Sequence, residues 1–284
     1  MSTLENLSCP IDSEPLARDI SSLKCKNGHT FDLAKTGYVN LLPVQNKRSK
    51  DPGDNKVMVT ARQSFLNQDH YYPIVNAIYS SLPIDIRKDN LRILDAGCGE
   101  GYYLDKLGKL LQSGGIDNER VGLDISKWAV TAASKRDKTV SWVVGSNASL
   151  PMLSNRFDMV FCLFGFPVFE EFSRVLSEGG VILLVESGVN HLLELRKILY
   201  PSIHDYKPTY PNGIAGFELL EEQSATYCFS LHSQQDIQNL LIMTPHIHKA
   251  SYKGREAVKQ LTSIDLTADV KLRWYRKTKG AASV

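Results

Sequence analysis

Cys9, Asp12, Cys25 and His29 are the first residues in the chain whose types and spacing can do chemistry. Two ligands at C-x2-C spacing, followed about a dozen residues later by a second pair, close four donors around one tetrahedral metal ion. In "CPIDSEPLARDISSLKCKNGHTFD" the second pair is intact, and the first carries a carboxylate where a thiolate is expected. An aspartate oxygen binds Zn²⁺ at nearly the distance of a histidine nitrogen but is a harder, less covalent ligand than sulfur, so the pattern predicts a weakened zinc site. Without metal, this segment has to hold together by packing of Leu16, Leu23, Phe31, Tyr38 and Leu41.

A second constellation lies in "DAGCGEGYY", with Asp95, Gly97, Gly99 and Gly101. Glycines at this spacing let the backbone turn tightly and approach a ligand closely. A dinucleotide fingerprint places its third glycine where this chain has Tyr102, so the G-x-G-x-G pattern argues against a pyrophosphate cradle and for a nucleoside ligand without phosphates. Asp124 closes the next apolar run, and an acidic side chain there can accept both hydroxyls of a ribose. Asn147, or the backbone beside it in "GSNASLP", is placed to meet an adenine edge. Taken singly, Asp124 reads equally well as a neighbour of a helix N-cap; the three features at the ends of successive strands carry more weight.

The elements that position these residues are short apolar runs alternating with helical stretches. Strands are expected at 91–95, 120–124, 140–144, 157–164 and 179–187, with helices near 101–112, 126–136, 168–176 and 190–199. A further strand at 225–233, a helix in "QQDIQNLLIM" and a terminal strand at 270–277 complete the set. Buried strands separated by helices mean a parallel sheet covered on both faces, so the fold class is α/β, doubly wound and mostly parallel, with seven strands. In such sheets ligands bind beyond the carboxyl ends of the strands, near the switch in strand order. Upstream, 1–45 forms a small Cys/His lobe and 46–89 a linker with helices, one of them interrupted at Pro73; the sheet domain spans 90–284.

Composition is that of a globular chain: 43% apolar, 23% charged, net charge +2, and no apolar run approaching a membrane span. Five scattered cysteines suit a reducing compartment better than a disulfide framework, and no signal-peptide pattern is visible, so a cytoplasmic protein is expected. Charge is unevenly spread: nine Lys or Arg face three acidic residues between Lys249 and Lys279, and "NKRSK" at 46–50 adds a second basic cluster. Such clusters read first as solvated surface and second as a polyanion footprint.

"LDAGCGEGYY", "GLDIS" and "FDMVF" resemble motifs of class I S-adenosylmethionine-dependent methyltransferases. "FDLAKTGYVNLLP", "KRSKDPGDN", "FLNQDHYYP" and the Cys/His segment extend the resemblance, along nearly the whole chain, to the bacterial 23S ribosomal RNA guanine-N1 methyltransferases. That resemblance implies a zinc-binding RNA-recognition lobe on a methyltransferase core, a guanine in a domain II hairpin of 23S rRNA as substrate, and a homodimer. Carried over by position, it implies cofactor contacts at Tyr71, Gly99, Glu100 and His191, and zinc ligands at Cys9, position 12, Cys25 and His29, of which Asp12 departs from the pattern.

Guanine N1 carries a proton near neutral pH, so N1 methylation needs an acceptor; His70, Glu100, His191 and Glu194 are candidates and the sequence does not choose among them. N1 is also buried in a Watson–Crick pair, so the base has to be unpaired or flipped, and Phe164 and Phe166 are candidate walls around it. Trp128 and Trp142 are assigned to core or surface. Two rivals stay open: a small-molecule methyltransferase, which has no need of the Cys/His lobe, and a catalytically silent RNA-binding protein, which has no need of the glycine turn.

Overall fold

The computed structural model describes residues 3–46, 49, 51–203, 213–246 and 250–278. Three short antiparallel strands, β1 (Ala17–Asp19), β2 (Ser22–Lys24) and β3 (Thr30–Asp32), form a small sheet at the N-terminus. A two-residue strand, β4 (Val39–Asn40), then leaves this lobe. Helices α1 (Lys56–Leu66) and α2 (Tyr72–Ser80) follow. The Asn55 side chain caps α1 by accepting the Met58 N–H at 3.0 Å. The expected interruption lies before Pro73 rather than at it: Asp69 takes a left-handed φ of 59°, and the proline sits in the first turn of α2, where a missing N–H costs nothing.

The main sheet is built from β5 (Leu91–Ala96), β6 (Asn118–Asp124), β7 (Ser141–Val144), β8 (Phe157–Leu163), β9 (Leu176–Ser187), β10 (Phe217–Leu231) and β11 (Ile264–Lys277). Between them lie α3 (Tyr102–Ser113), α4 (Lys127–Arg136), α5 (Phe169–Val175), α6 (Leu193–Leu199), α7 (Gln234–Met243) and α8 (Tyr252–Lys259). The order is β10-β11-β9-β8-β5-β6-β7-β4, which corrects the expected seven strands to eight. The extra strand is β4, parallel to β7 through Val39 opposite Val143 and Asn40 opposite Val144. β11 alone runs against the others, antiparallel to both its neighbours β10 and β9, and the remaining pairs are parallel. The chain runs outward from β5 through β7, then crosses back to β8 beside β5, so the switch point lies between β5 and β8.

The lobe is seated on the sheet. Leu7, Cys9, Leu16, Leu23, Cys25 and Leu41 are buried in one continuous apolar cluster with Leu94, Val121, Leu123 and Val143. Tyr38 instead joins the cluster on the opposite face, with Phe65, Ile74 and Leu107. Four cations of the C-terminal basic run, all on β11, are engaged by the fold itself. Buried Arg273 pairs with Glu186 and Glu222, Arg276 with Asp85 and Lys271 with Glu222, and Lys277 donates to the Ser173 and Leu176 carbonyls. Lys253, Arg255 and Lys259 stay exposed on α8, whereas Lys249, Lys279 and, in the "NKRSK" cluster, Lys47, Arg48 and Lys50 lie outside the described residues. No helix among the described residues is long and apolar enough to cross a membrane.

Candidate functional site

The turn after β5 is made by its glycines. Gly97, Gly99 and Gly101 take φ of 103°, 54° and 86°, a region that side-chain-bearing residues rarely visit. At Gly101 the reason is packing, since a Cβ there would lie 2.6 Å from Trp142 Cη2. At Gly97 it is access, because a Cβ would project into open space. The Gly97 and Cys98 N–H groups both donate to the Leu123 carbonyl at 2.8 and 2.9 Å, and Asp124 fixes the next step. Its two carboxylate oxygens accept the Gly99 N–H at 2.9 Å and the Ser126 N–H at 2.8 Å. Burial raises the Asp124 carboxyl, and those two N–H bonds oppose it.

Asp95 is buried at the end of β5, and its Oδ1 has no partner among the described residues. Burial first, and the Asp124 charge second, push its carboxyl up to about 8. Asn147 ties the site together by donating from Nδ2 to the carbonyls of Ala96 and Phe166, both at 3.2 Å, while its Oδ1 has no partner among the described residues. The Glu100 carboxylate is buried in an ion pair with Arg136 of α4. Phe164, at a left-handed φ of 54°, lies 6.2 Å from the Tyr103 ring and 6.2 Å from His191; Phe166 is exposed. Trp142 is buried and Trp128 half exposed.

Tyr71 and His191, 120 positions apart in sequence, meet in the buried wall beside Phe65 and Phe229, with Tyr71 Oη 3.3 Å from His191 Nε2. The Asp269 N–H donates to His191 Nδ1 at 3.2 Å. A backbone N–H can only donate, so the imidazole proton sits on Nε2 and points at the tyrosine oxygen. His191 is left with no free lone pair for a proton. The Asp269 carboxylate also receives the Asn190 N–H at 2.8 Å and the Thr226 hydroxyl at 3.2 Å, so it fixes the loop carrying His191. Of the other candidate bases, Glu100 and Glu194 are engaged as acceptors, whereas His70 uses only Nε2. Glu194 accepts the N–H and hydroxyl of Thr267 at 3.0 and 2.7 Å, and His70 lies 3.2 Å from Gln68, which donates to Asp236.

Burial lowers the His191 imidazole from 6.5 to about 4, which gives a testable pH dependence. Between those values the unfolded chain binds a proton that the folded chain refuses. The stabilisation from keeping His191 neutral is therefore complete above its unfolded value and is lost as pH falls toward the folded one, by roughly 3 kcal/mol. Urea melts at pH 7 and 4.5, which span most of that range, should show a loss that shrinks by about 2 kcal/mol in His191→Gln. An identical pH slope in the variant would contradict the assignment.

In the lobe, the predicted ligands converge. Cys9 Sγ and Cys25 Sγ lie 3.5 and 3.4 Å from His29 Nδ1, Cys25 Sγ is 3.5 Å from Asp12 Oδ2, and that oxygen is 3.0 Å from His29 Nδ1. All four donors lie within 4.8 Å of one another. A tetrahedral zinc with bonds of about 2.0–2.3 Å holds its donors roughly 3.3–3.8 Å apart, so the cluster has the right size. Asp12 is oriented by the Asn27 amide at 2.9 Å on Oδ2 and the Glu14 N–H at 3.2 Å on Oδ1. Burial, then the Asp12 carboxylate, push the Cys9 thiol up to about 11.

Sequence reasoning missed Asp269, Asp54 and Arg62. The available signals were an acid alone in the apolar "TADVKLRW" run and the "PGDN" turn before α1.

A switched parallel sheet with a G-x-G-x-G turn and an acid at the end of the neighbouring strand defines a class I S-adenosylmethionine-dependent methyltransferase core. The family described as "Methyltransferase domain" matches residues 93–180, and "RlmA, N-terminal", a zinc ribbon, matches 7–50. YxjB of Bacillus subtilis (strain 168), whose name describes a 23S rRNA (guanine-N(1)-)-methyltransferase, is 31% identical over 92% of this chain and 94% of its own. The 23S rRNA (guanine(748)-N(1))-methyltransferase of Streptomyces fradiae is 32% identical over 66% of each chain. The solved YcgJ protein of Bacillus subtilis matches 74% of this chain and 100% of its own at 18% identity and a TM-score of 0.45. The chain belongs to the 23S rRNA (guanine-N1)-methyltransferase family.

Proposed function

We propose that this protein transfers the methyl group of S-adenosylmethionine to N1 of a guanine in a domain II hairpin of 23S rRNA. The observation that carries the reading is one chain holding both a nucleoside-type glycine turn and a four-donor Cys/His/Asp cluster on a lobe seated on the same sheet. A small-molecule methyltransferase gives no reason for the second feature, and a silent RNA binder none for the first.

The turn fits the cofactor. Each Asp124 oxygen keeps a lone pair beyond its backbone bond, enough to accept both ribose hydroxyls. The open side of Gly97 gives room, Gly99, Glu100 and Gly101 offer backbone, the unpartnered Asn147 Oδ1 can accept from an adenine amino group, and the orphaned Asp95 Oδ1 awaits a donor. Tyr71, its oxygen already accepting from His191, retains its own proton to donate. When bound, the cofactor supplies an electrophilic methyl on a sulfonium; the chain orients it and keeps water away, which is where acceleration of an in-line displacement comes from. Phe164 and Phe166 would flank a base drawn out of its pair.

The reading further gives Zn²⁺ to Cys9, Asp12, Cys25 and His29 as a structural ion, gives RNA recognition to the 1–45 lobe and the methyl transfer to 90–284, and places the enzyme in the cytoplasm as a homodimer, as its family resemblance implies. Incubation with methyl-labelled cofactor and 23S rRNA from cells lacking the modification tests it. Label should enter the RNA; label entering only small acceptors would favour the small-molecule reading.

A further inference from the structure

Arg62, on α1, borders the glycine turn. A Cβ on Gly99 would lie 3.9 Å from Arg62 Nη1, and the Arg62 charge acts on Asp124 and Glu100. The guanidinium is held from two directions: Nη1 pairs with the Asp54 carboxylate, and Nη2 donates to the Met243 carbonyl at 3.0 Å at the end of α7. Asp54 is itself anchored, because its carbonyl accepts the Ser126 hydroxyl at 2.5 Å, just after Asp124. The neighbouring Gly53, at φ 77°, packs so closely that a Cβ would lie 2.8 Å from Ile125 Cγ2. Gly53 and Asp54 thus pack against Ile125 and Ser126 after β6, and Arg62 is clamped where this segment meets the glycine turn.

The charge around the turn makes this position informative. Asp124 and the ion-paired Glu100 set carboxylates beside the turn, which suits the sulfonium and ammonium of the cofactor but not its carboxylate. The neighbouring cations Arg136 and Lys106 are already bound to Glu100 and Asp69. A guanidinium carries five N–H donors, and the two bonds above use one from each terminal nitrogen, so a planar acceptor can still be met edge-on.

Resting on the cofactor reading above, we infer that Arg62 binds the carboxylate of the methionyl group of S-adenosylmethionine, with Asp54 holding the guanidinium in place. Residues 51–55 are then part of the cofactor site, although they lie far from the glycine turn in sequence.

Calorimetry on the full chain, without RNA, tests this with S-adenosylmethionine and its decarboxylated analogue. Wild-type protein should prefer the intact cofactor by roughly 10- to 100-fold, the range of a charge-assisted pair. Arg62→Ala should erase that preference by weakening only the intact cofactor. Arg62→Gln keeps most of the stem and should do the same if the alanine variant fails to fold. Equal wild-type affinity for both ligands, or a preference surviving in Arg62→Gln, would overturn the inference while leaving the methyltransferase reading intact. Binding of neither ligand to wild-type protein would instead remove the cofactor reading itself.

Discussion

Replacing Cys9 and Cys25 together by serine is expected to lower rRNA methylation by about 100-fold or more, while affinity for S-adenosylmethionine stays within about threefold. The two thiols supply half of the four donors and are themselves buried. Structural zinc contributes on the order of 10 kcal/mol to the folding of a small domain, and β1 to β3 are only three residues each. Without the ion the hairpins lose the point that joins Cys9, Asp12, Cys25 and His29, whereas the glycine turn is fixed by Leu123 and Asp124 from β6. Substitution is a cleaner probe than deleting residues 1–45, because deletion would also strip β4 and Leu41 from β7. Metal analysis should find about one zinc in wild-type protein and none in the variant. A double variant that methylates rRNA at the wild-type rate would show that the cluster does not serve RNA recognition.

Alanine at Gly101 and at Gly97 should fail in opposite ways. At Gly101 the new Cβ meets Trp142 Cη2 at 2.6 Å and Ala133 Cβ at 3.0 Å, with φ at 86°. Overpacking and left-handed strain together should cost about 3 kcal/mol, enough to lower the melting temperature by roughly 6–10 °C. At Gly97 nothing lies within 4 Å, so only the strain of φ 103° is felt, about 1 kcal/mol. Its methyl, however, enters the open side of the turn and should weaken cofactor binding by at least about tenfold, near 1.4 kcal/mol. Thermal melts and calorimetry on both variants separate the effects. Cofactor affinity unchanged in Gly97→Ala would place the ligand elsewhere.

Much of this was legible in the sequence because burial writes itself into apolar runs. β5, β7 and β8 begin and end within a residue of where their runs predict. β4 left no trace, since a two-residue strand has no periodicity to read. β10 starts at Phe217, eight residues before the predicted start, because its first half is an exposed edge rich in glutamate. α6 begins at Leu193 rather than 190, after Leu192 takes a left-handed φ of 51°. The cluster of Cys9, Asp12, Cys25 and His29 was readable from spacing, and the glycine turn from its departure from the dinucleotide pattern. The pairing of Tyr71 with His191, the tautomer set by Asp269 and the Arg62–Asp54 clamp depend on contacts between distant segments, which no local pattern encodes.

N1 methylation of a guanine in 23S rRNA can be read by primer extension after incubating the protein and S-adenosylmethionine with unmodified 23S rRNA. A methyl on N1 removes the donor of the central Watson–Crick bond, so reverse transcriptase should stop one nucleotide before a single guanine in the domain II hairpin, and only when cofactor is present. Uninterrupted extension through that hairpin, on RNA incubated with protein shown to bind S-adenosylmethionine, would mean that N1 of that guanine is not the methyl acceptor.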